Sequence, residues 1–290
     1  MGEITTMKGF KGFEKGLVCR GKQYAENTVF EEEKAVVCQR GMHFCVNPFD
    51  VLDHYDLVNS DGSFNDFAEV EALAEAKTDD DKKYCTTKLK VGAKLSFAGF
   101  IKACVDFVLE KTTVEIPDKK TNDSDETVIG SKSKNAQIGS SGDSAQIGSS
   151  GDSAQIGSSG DSAKIGSSGN YAQIGSSGDY AQIGSSGYSA KIGSSGYSAQ
   201  IGSSGYSAKI GSSGYSAQIE STGEDSVICC AGNDSKVKAK KGSWITLSEW
   251  KYDDAKGRKV PVCVKTEFVD GEKIKADTFY KLKNGEFVEV

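Results

Sequence analysis

A nine-residue sequence is repeated thirteen times between residues 124 and 241 without an insertion. One copy, Gly142 to Ser150, reads GDSAQIGSS, and the copies that begin at Ser124 and Ser133 are weaker. A short fixed period means that similar structural units stack on one another, so this segment is predicted to be a solenoid. The alternative is disorder, because Gly and Ser dominate the segment. Disorder does not explain why one position is Ile or Val in all thirteen copies, from Ile129 to Val237.

Each copy has the pattern of one short strand and one tight corner. Ala145 and Ile147 are two residues apart, so they share a face of the strand and point into the core. Gln146 and Ser144 are expected on the other face. The Gly-Ser-Ser-Gly that follows is a corner, in which we expect Gly to supply a positive φ.

Two copies are predicted to form one coil of about 18 residues. Lys191 and Lys209 are 18 residues apart, while Gln182, Gln200 and Gln218 fill the alternate copies, which places lysines on one face and glutamines on the opposite one. Thirteen copies give about six and a half coils, roughly 30 Å long at ~4.8 Å per coil. The predicted fold is therefore mainly β: a parallel two-sheet β-roll with an α+β domain before it and a β-rich cap after it.

The known nonapeptide solenoid that binds calcium has the pattern GGxGxDxUx. Aligning Ile147 with its apolar position puts Ala145 where the Asp ligand belongs, and the other copies repeat this substitution. Calcium needs several oxygen ligands, so we expect a roll that holds no metal. The corner residues Asp143, Asp152, Asp161 and Asp179 leave a weak site open.

Tyrosines replace the corner aspartates in the later copies, at Tyr188, Tyr197, Tyr206 and Tyr215. With two copies per coil, Tyr188 is expected to stack over Tyr206 and Tyr197 over Tyr215, on opposite edges. These rings either shield a thin core or form a stacking platform for sugars, bases or a partner protein. They are the candidate binding residues of the repeat.

Composition excludes several classes of function. The net charge is −6, without a basic stripe, which argues against nucleic-acid binding. No segment approaches the roughly 20 apolar residues that span a membrane. The first residues, MGEITTMKGF, lack the apolar core of a secretory signal, and the eight cysteines contain no C-x-x-C. We therefore expect a reduced, cytoplasmic protein that has no cofactor.

The segments on either side of the repeat read as separate domains, 1–118 and 242–290. In the first, Asn47-Pro48 predicts a helix start, residues 67–75 predict a strand, and residues 97–110 predict a helix that covers the first coil. In the second, strand-like runs combine with two hairpin signals, Asp270-Gly271 and Asn284-Gly285.

Several segments resemble an uncharacterised family found in tailed phages and prophages of gut-type bacteria. The resemblance is carried by residues 12–21 (GFEKGLVCRG), 41–45 (GMHFC), 47–52 (NPFDVL), 242–250 (GSWITLSEW) and 269–282 (VDGEKIKADTFYKL). Members of that family look similar over almost the whole length, with an N-terminal domain, a variable number of short repeats and a similar tail. The resemblance implies a viral or prophage gene, leaves association with a virion open and assigns no activity.

Two hypotheses of function follow. The first is a non-enzymatic structural or binding protein, whose rigid repeat presents the end domains to a host protein or a small molecule, with a homo-oligomer left open. The second is an ADP-ribosyltransferase-like enzyme in the N-terminal domain, in which Arg20 or His43 holds the dinucleotide and Glu69 or Glu71 stabilises the transition state. A histidine such as His43 is more often a satisfied interior residue, and a Glu-x-Glu pair on a strand is more often a solvated face.

Overall fold

The computed structural model describes residues 6–57, 64–111, 119–122 and 124–290. The chain divides into two compact units, Met1–Phe107 and Val108–Val290. Within the described residues, no helix is long and apolar enough to cross a membrane.

The first unit is an antiparallel sheet with few helical residues. Its elements are β1 (Met7–Phe13), β2 (Val18–Cys19), β3 (Lys22–Gln23), β4 (Thr28–Glu31), β5 (Met42–Cys45), a 3-10 helix (Pro48–Asp53), β6 (Asp66–Ala72), β7 (Ala76–Thr78), β8 (Lys83–Thr86) and β9 (Lys88–Leu95), and α1 (Phe97–Lys111) begins in it. Seven strands form one sheet in the order β4-β9-β6-β1-β5-β8-β7, and β2 and β3 form a small hairpin. Strand β1 therefore lies in the middle of the sheet.

The predicted elements of this unit are present. Strand β6 alternates as expected, with Ala68 and Val70 buried and Glu69 exposed. The side chain of Asn47 caps the 3-10 helix by accepting a hydrogen bond from the backbone N–H of Phe49. That helix is short and ends at Asp53.

The second unit is the solenoid. Its strands are β10 (Lys119–Asn122), β11 (Val128–Ser131), β12 (Gln137–Ser140), β13 (Gln146–Ser149), β14 (Gln155–Ser158), β15 (Lys164–Ser167), β16 (Gln173–Ser176), β17 (Gln182–Ser185), β18 (Lys191–Ser194), β19 (Gln200–Ser203), β20 (Lys209–Ser212), β21 (Gln218–Ser221), β22 (Val227–Cys230), β23 (Lys236–Lys238), β24 (Trp244–Asp253), β25 (Arg258–Phe268), β26 (Tyr280–Lys283) and β27 (Glu286–Glu289). The even-numbered strands β10 to β24, followed by β25, form one nine-stranded sheet, which we call the even sheet. The odd-numbered strands β11 to β23, followed by β26 and β27, form the other, the odd sheet.

The pairing register confirms a coil of two copies. Strands two apart pair in parallel with an offset of 18 residues, as in Ile147 with Ile165 and Ile156 with Ile174. Both Ala145 and Ile147 are fully buried, so the predicted inward face is correct. The first strand, β10, pairs with β12 and lies before residue 124, so the solenoid begins earlier than the repeat pattern indicated.

The corner differs from the prediction. The left-handed position is occupied by Ser144, with φ 55°, and by the equivalent residue of the other copies, not by the repeat glycine. Ser144 therefore lies in the turn and not on the strand. The glycine is required for a different reason: a Cβ added at Gly160 would lie 2.0 Å from the carbonyl oxygen of Gly142, one coil below. Close approach of successive coils, and not φ, excludes a side chain there.

Aspartates at the corner hold the next coil by hydrogen bonds. The Oδ1 of Asp143 accepts from the backbone N–H of Asp161 at 2.8 Å, and Asp161 accepts in the same way from Asp179. On the other edge, Asn170 accepts from the N–H of Tyr188 at 2.9 Å. These carboxylates are therefore occupied with backbone donors.

Serines form two inward-facing columns inside the solenoid. In the nine copies from Ser140 to Ser212, the Ser that ends the strand is buried, as Ser185 and Ser194 are. Their hydroxyl oxygens have no hydrogen-bond partner. In the even sheet this column continues from Ser212 to Cys230 and then Leu247, so apolar residues occupy the same register at its end.

Outward-facing positions follow the predicted alternation only in the later coils. Lys191 and Lys209 pair in the even sheet, while Gln182 pairs with Gln200 in the odd sheet. Lys164 breaks this pattern because it lies in the odd sheet. Three glutamines of earlier copies also lie in the even sheet: Gln137, Gln155 and Gln173.

The C-terminal strands continue both sheets of the solenoid. Strand β24 pairs in parallel with β22, and β26 pairs antiparallel with β23. Residues 242–290 thus lie in the same compact unit as the repeat. Asn284 and Gly285 both have positive φ and join β26 to β27, which confirms that hairpin. Asp270-Gly271 does not form the other predicted hairpin, because it lies in the loop between β25 and β26.

Candidate functional site

The first unit contains a cavity of about 510 Å³. Strand β1 pairs with β5 at Phe10 and Cys45, and the cavity is bounded by both strands and by the loops on either side. A volume of this size suits a small organic ligand. Its lining residues are Phe10, Lys11, Gly12, Cys19, Arg20, Lys22, Tyr24, Glu32, Cys38, Gln39, Arg40, Gly41, His43, Phe44, Cys45, Val51, Asp53, His54, Tyr55 and Lys83.

The cavity is cationic although the chain is acidic. Five of its lining residues are Lys or Arg and two are Asp or Glu. One of these acids, Glu32, is already paired with Lys22 at 2.8 Å. Arg20 and Arg40 are exposed, and neither has a carboxylate within ion-pair distance in the part of the chain that the structure describes. The guanidinium groups are therefore available to an anion.

Lys11 is buried at the base of this cationic surface. The side chain, on the central strand β1, is only 5 % exposed. Its Nζ donates hydrogen bonds to the backbone oxygen of His43 at 3.0 Å and to Cys19 Sγ at 3.4 Å. The ammonium also lies over the rings of Phe13 and Tyr24, at 5.3 and 5.6 Å from their centroids. Burial lowers the pKa of Lys11, against an opposing effect of Cys19.

Cys19 accepts a second hydrogen bond. The hydroxyl of Tyr55 donates to Cys19 Sγ at 2.9 Å, so an amine and a phenol converge on one sulfur atom. Burial and the contact with Cys19 raise the pKa of Tyr55, so its hydroxyl keeps its proton. The three side chains come from β1, β2 and the segment after the 3-10 helix, and Tyr55 is 36 residues from Cys19 in sequence.

His43 is held as a neutral imidazole. Its Nε2 accepts a hydrogen bond from the backbone N–H of Cys38 at 3.0 Å. Burial lowers the pKa of His43 to about 4, and the charges of Lys11, Lys83 and Arg20 add to that effect. The imidazole ring is therefore an uncharged part of the cavity lining at neutral pH. Its hydrogen bond with Cys38 fixes the loop that carries Arg40.

Asp66 holds the loop that carries Cys19 and Arg20. One carboxylate oxygen accepts hydrogen bonds from the backbone N–H groups of Gly16 and Leu17, at 2.8 and 3.0 Å. The other oxygen pairs with Lys94 at 2.6 Å. Because Asp66 is buried, these contacts fix the turn that leads into β2. Arg20, immediately after β2, has a left-handed backbone with φ 50°.

The structure brings together two of the four residues named for the enzyme hypothesis. Arg20 and His43 line the cavity, whereas Glu69 and Glu71 lie on β6 and are not among the residues that line it. The sequence reading missed Lys11, Cys19 and Tyr55. Their spacing in sequence matches no motif, and a lysine in a strand such as MKGFKGF ordinarily predicts a solvent-facing position.

The corner tyrosines are exposed along the two edges of the solenoid. Tyr197 and Tyr215 stack as predicted, with ring centroids 5.4 Å apart and planes 5° apart. On the other edge, the ring contact of Tyr188 is with Tyr171, edge to face at 5.6 Å. No ring contact between Tyr188 and Tyr206 appears among the described residues.

Tyr171 and Tyr180 extend these edges and were missed from the sequence. Tyr180 contacts Tyr197 at 5.5 Å, and Tyr171 and Tyr180 are both more than half exposed. They follow the corner residue by one position and have a left-handed backbone. Their position in the repeat, one residue after Asn170 and Asp179, could have identified them from the sequence.

A shallow groove of about 750 Å³ runs along the outer surface of the even sheet. Its floor includes Gly157 and Gly175, at which an added Cβ would meet open space, and Lys191 and Lys209 lie at one end. The groove is wide and open. The cavity of the first unit is more enclosed and is lined by several charged side chains. The cavity is therefore the stronger candidate site.

Cysteines and acidic residues do not assemble into a metal site. No group of three or more His, Cys, Asp or Glu side chains that could hold a metal ion occurs within the residues described. No disulfide bond joins any of the eight cysteines. Cys38, Cys45 and His43 belong to the wall of the cavity.

Comparison with known proteins identifies one family match. A domain of unknown function, DUF7666, matches residues 7–103, which include the whole cavity. No curated protein and no solved structure matches the chain.

Proposed function

We propose that this chain is a binding protein whose N-terminal domain captures a small organic anion in the cationic cavity, with the solenoid as a rigid carrier. The single observation that carries the proposal is the environment of Lys11. An amine this deeply buried normally has a carboxylate partner, because an unpaired charge in a protein interior is costly. Lys11 instead faces a sulfur atom, a backbone oxygen and two rings.

The surroundings of Lys11 support the same conclusion. Arg20 and Arg40 lie at the cavity surface without carboxylate partners in the described ranges, and Lys83 adds a further positive charge. A ligand with a phosphate- or carboxylate-like group would complete these pairs by charge-assisted hydrogen bonds. Phe10, Tyr24 and Tyr55 supply aromatic surface for the uncharged part of the ligand.

The solenoid supports the carrier role. Its coils keep one register, offset by 18 residues, from β10 to β24. The resemblance to phage and prophage proteins supports a viral gene, and within this proposal the ligand or a host protein is met in the host cytoplasm. The matched family domain has no known function and neither favours nor opposes this role.

An ADP-ribosyltransferase-like activity is not the function that the geometry favours. That chemistry needs a carboxylate beside the bound dinucleotide, and Glu69 and Glu71 lie away from the cavity lining. Two acids line the cavity, Glu32 and Asp53, and Glu32 is already paired with Lys22.

Calorimetric titration with inorganic pyrophosphate tests the proposal. We expect saturable binding by the full chain and loss of at least about tenfold in affinity, equivalent to ~1.4 kcal/mol, in the double variant Arg20→Asn/Arg40→Gln. Asparagine tolerates the left-handed backbone at residue 20.

The matched control removes two positive charges from the same domain outside the cavity. Lys15→Ser/Lys90→Ser has the same net charge as the arginine variant, and both lysines are exposed. It should bind pyrophosphate as the unmodified chain does. Equal losses in the two variants would show a general charge effect and contradict a defined site.

A further inference from the structure

The sulfur atom of Cys19 is the point on which the cavity's unusual groups converge. Lys11 Nζ and the Tyr55 hydroxyl both donate hydrogen bonds to it, at 3.4 and 2.9 Å. Burial raises the pKa of two other cysteines, Cys45 and Cys230, to about 12 each. Those two thiols are inert at neutral pH.

Cys19 is also accessible. It is partly exposed and lines the 510 Å³ cavity together with Arg20 and Arg40. A nucleophile, a basic group beside it and an anion-attracting surface thus occur in one enclosed space. These are the parts that an activated cysteine requires.

We infer that Cys19 is a nucleophile that forms a covalent bond with an anionic electrophile held in the cavity. The inference rests on the proposed anion binding and adds a chemical class of ligand to it: a molecule with a carboxylate or phosphate group next to an electrophilic carbon.

The step is a displacement in which atoms and charge balance. The thiol proton of Cys19 is released to water, and the Lys11 ammonium stabilises the resulting thiolate through the hydrogen bond that Nζ donates to Sγ. The sulfur electron pair forms an S–C bond as the leaving group departs with its own electron pair. Arg20 and Arg40 hold the anionic group, and Tyr55 holds Sγ in place.

Alkylation with two matched reagents tests this directly. Iodoacetamide is neutral and iodoacetate is anionic, and each forms an S–C bond with loss of iodide. Mass spectrometry of peptides from the full chain measures the rate at Cys19 and, as reference, at Cys229, which is more exposed and lies in the solenoid.

We expect Cys19 to react with iodoacetamide at least about tenfold faster than Cys229 at pH 7, despite its lower exposure. The iodoacetate-to-iodoacetamide rate ratio should also be about tenfold higher at Cys19 than at Cys229, because the cationic cavity concentrates anions. Lys11→Met should abolish the first difference, and Tyr55→Phe, which keeps the ring, should reduce it. Lys77→Met, an exposed lysine outside the cavity, should change neither.

The outcomes separate this inference from the proposed function. If Cys19 reacts no faster than Cys229 with iodoacetamide while pyrophosphate still binds, the nucleophile is wrong and anion binding stands. If Cys19 reacts fast but shows no preference for iodoacetate, and pyrophosphate does not bind, both the ligand class and the proposed function are wrong. Because the unmodified chain provides both rates, a Lys11 variant that fails to fold does not affect this decision.

Discussion

The carbonyl oxygen of Gly142 lies 2.0 Å from the position that a Cβ on Gly160 would occupy. Successive coils of the solenoid therefore touch at backbone level at this corner. A methyl group there can be accommodated only if the coils move apart, and that separation would also stretch the backbone hydrogen bonds between coils. The repeat glycine is a packing requirement in every coil.

Replacement of Gly160 by Ala should lower the free energy of unfolding by more than about 3 kcal/mol, since the clash is with backbone and no side chain can rotate away. Gly157→Ala is the matched control: it lies in the same coil, faces outward and has no atom within 4 Å of an added Cβ. Its effect should stay below about 1 kcal/mol. Urea denaturation of both variants measures the difference, and equal effects would contradict the packing account.

Asp161 stabilises the solenoid as a hydrogen-bond acceptor and not as a charge. Its Oδ1 receives the backbone N–H of Asp179 at 2.8 Å. Asp161→Ala should therefore cost about 1 kcal/mol, whereas Asp161→Asn, which keeps the acceptor as Asn170 does naturally, should cost less than half of that. Thermal unfolding of both variants should be the same with millimolar calcium and with excess chelator. A stabilisation by calcium that Asp161→Asn removes would instead show a metal site at the corner.

The buried serine columns do not depend on their hydroxyl groups. Ser194 Oγ is buried without a hydrogen-bond partner, so Ser194→Ala should leave the free energy of unfolding unchanged or raise it by up to about 1 kcal/mol. Ser226 is equally internal but bonds Ser221 at 2.9 Å and the oxygen of Gly223 at 3.3 Å. Ser226→Ala should cost about 1–3 kcal/mol. Chemical denaturation measures the free energy of unfolding of both variants. A large loss of stability in Ser194→Ala would show that the serine column is hydrogen-bonded in solution.

The pH dependence of stability should include His43. Its pKa falls to about 4 in the folded chain from an ordinary 6.5, so the unfolded chain takes up a proton first as pH falls. The stability that neutral His43 contributes is complete above pH 6.5 and is lost as pH falls from 6.5 towards 4. His43→Gln keeps an acceptor for the Cys38 N–H but does not titrate. The difference in free energy of unfolding between the unmodified chain and His43→Gln should shrink over that range, and a difference independent of pH would contradict the assignment.

The fold of the solenoid could be predicted because its period is short and its constraints are local. The Ile and Ala positions identify the inward face, and the spacing of Lys191 and Lys209 identifies the coil. The position of the corner was predicted from the sequence, but the role of its glycine was not. A glycine in a turn usually indicates a positive φ, and contact between coils, which fixes Gly160, has no local signal. Ser144 adopts the left-handed backbone instead, and its N–H bonds to the oxygen of Asp161 in the next coil.

The candidate site could be predicted only in part. Arg20 and His43 were selected for their chemistry and do line the cavity. Lys11, Cys19 and Tyr55 were not selected, because a sheet topology brings them together and no sequence spacing does. The sequence does not indicate that β1 is the central strand of the sheet. This central position is what buries Lys11.

The most direct test of the account is pyrophosphate binding in two deletion variants of the solenoid. Deletion of residues 151–168 removes one whole coil and keeps both sheets in register, whereas deletion of 151–159 exchanges the even and odd sheets for every later strand. We predict that the 18-residue deletion folds and binds pyrophosphate within about twofold of the unmodified chain, and that the nine-residue deletion loses at least about 3 kcal/mol of stability. Loss of pyrophosphate binding in a folded 18-residue deletion would contradict a site confined to the N-terminal domain, and equal stability of the two deletions would contradict the two-copy coil.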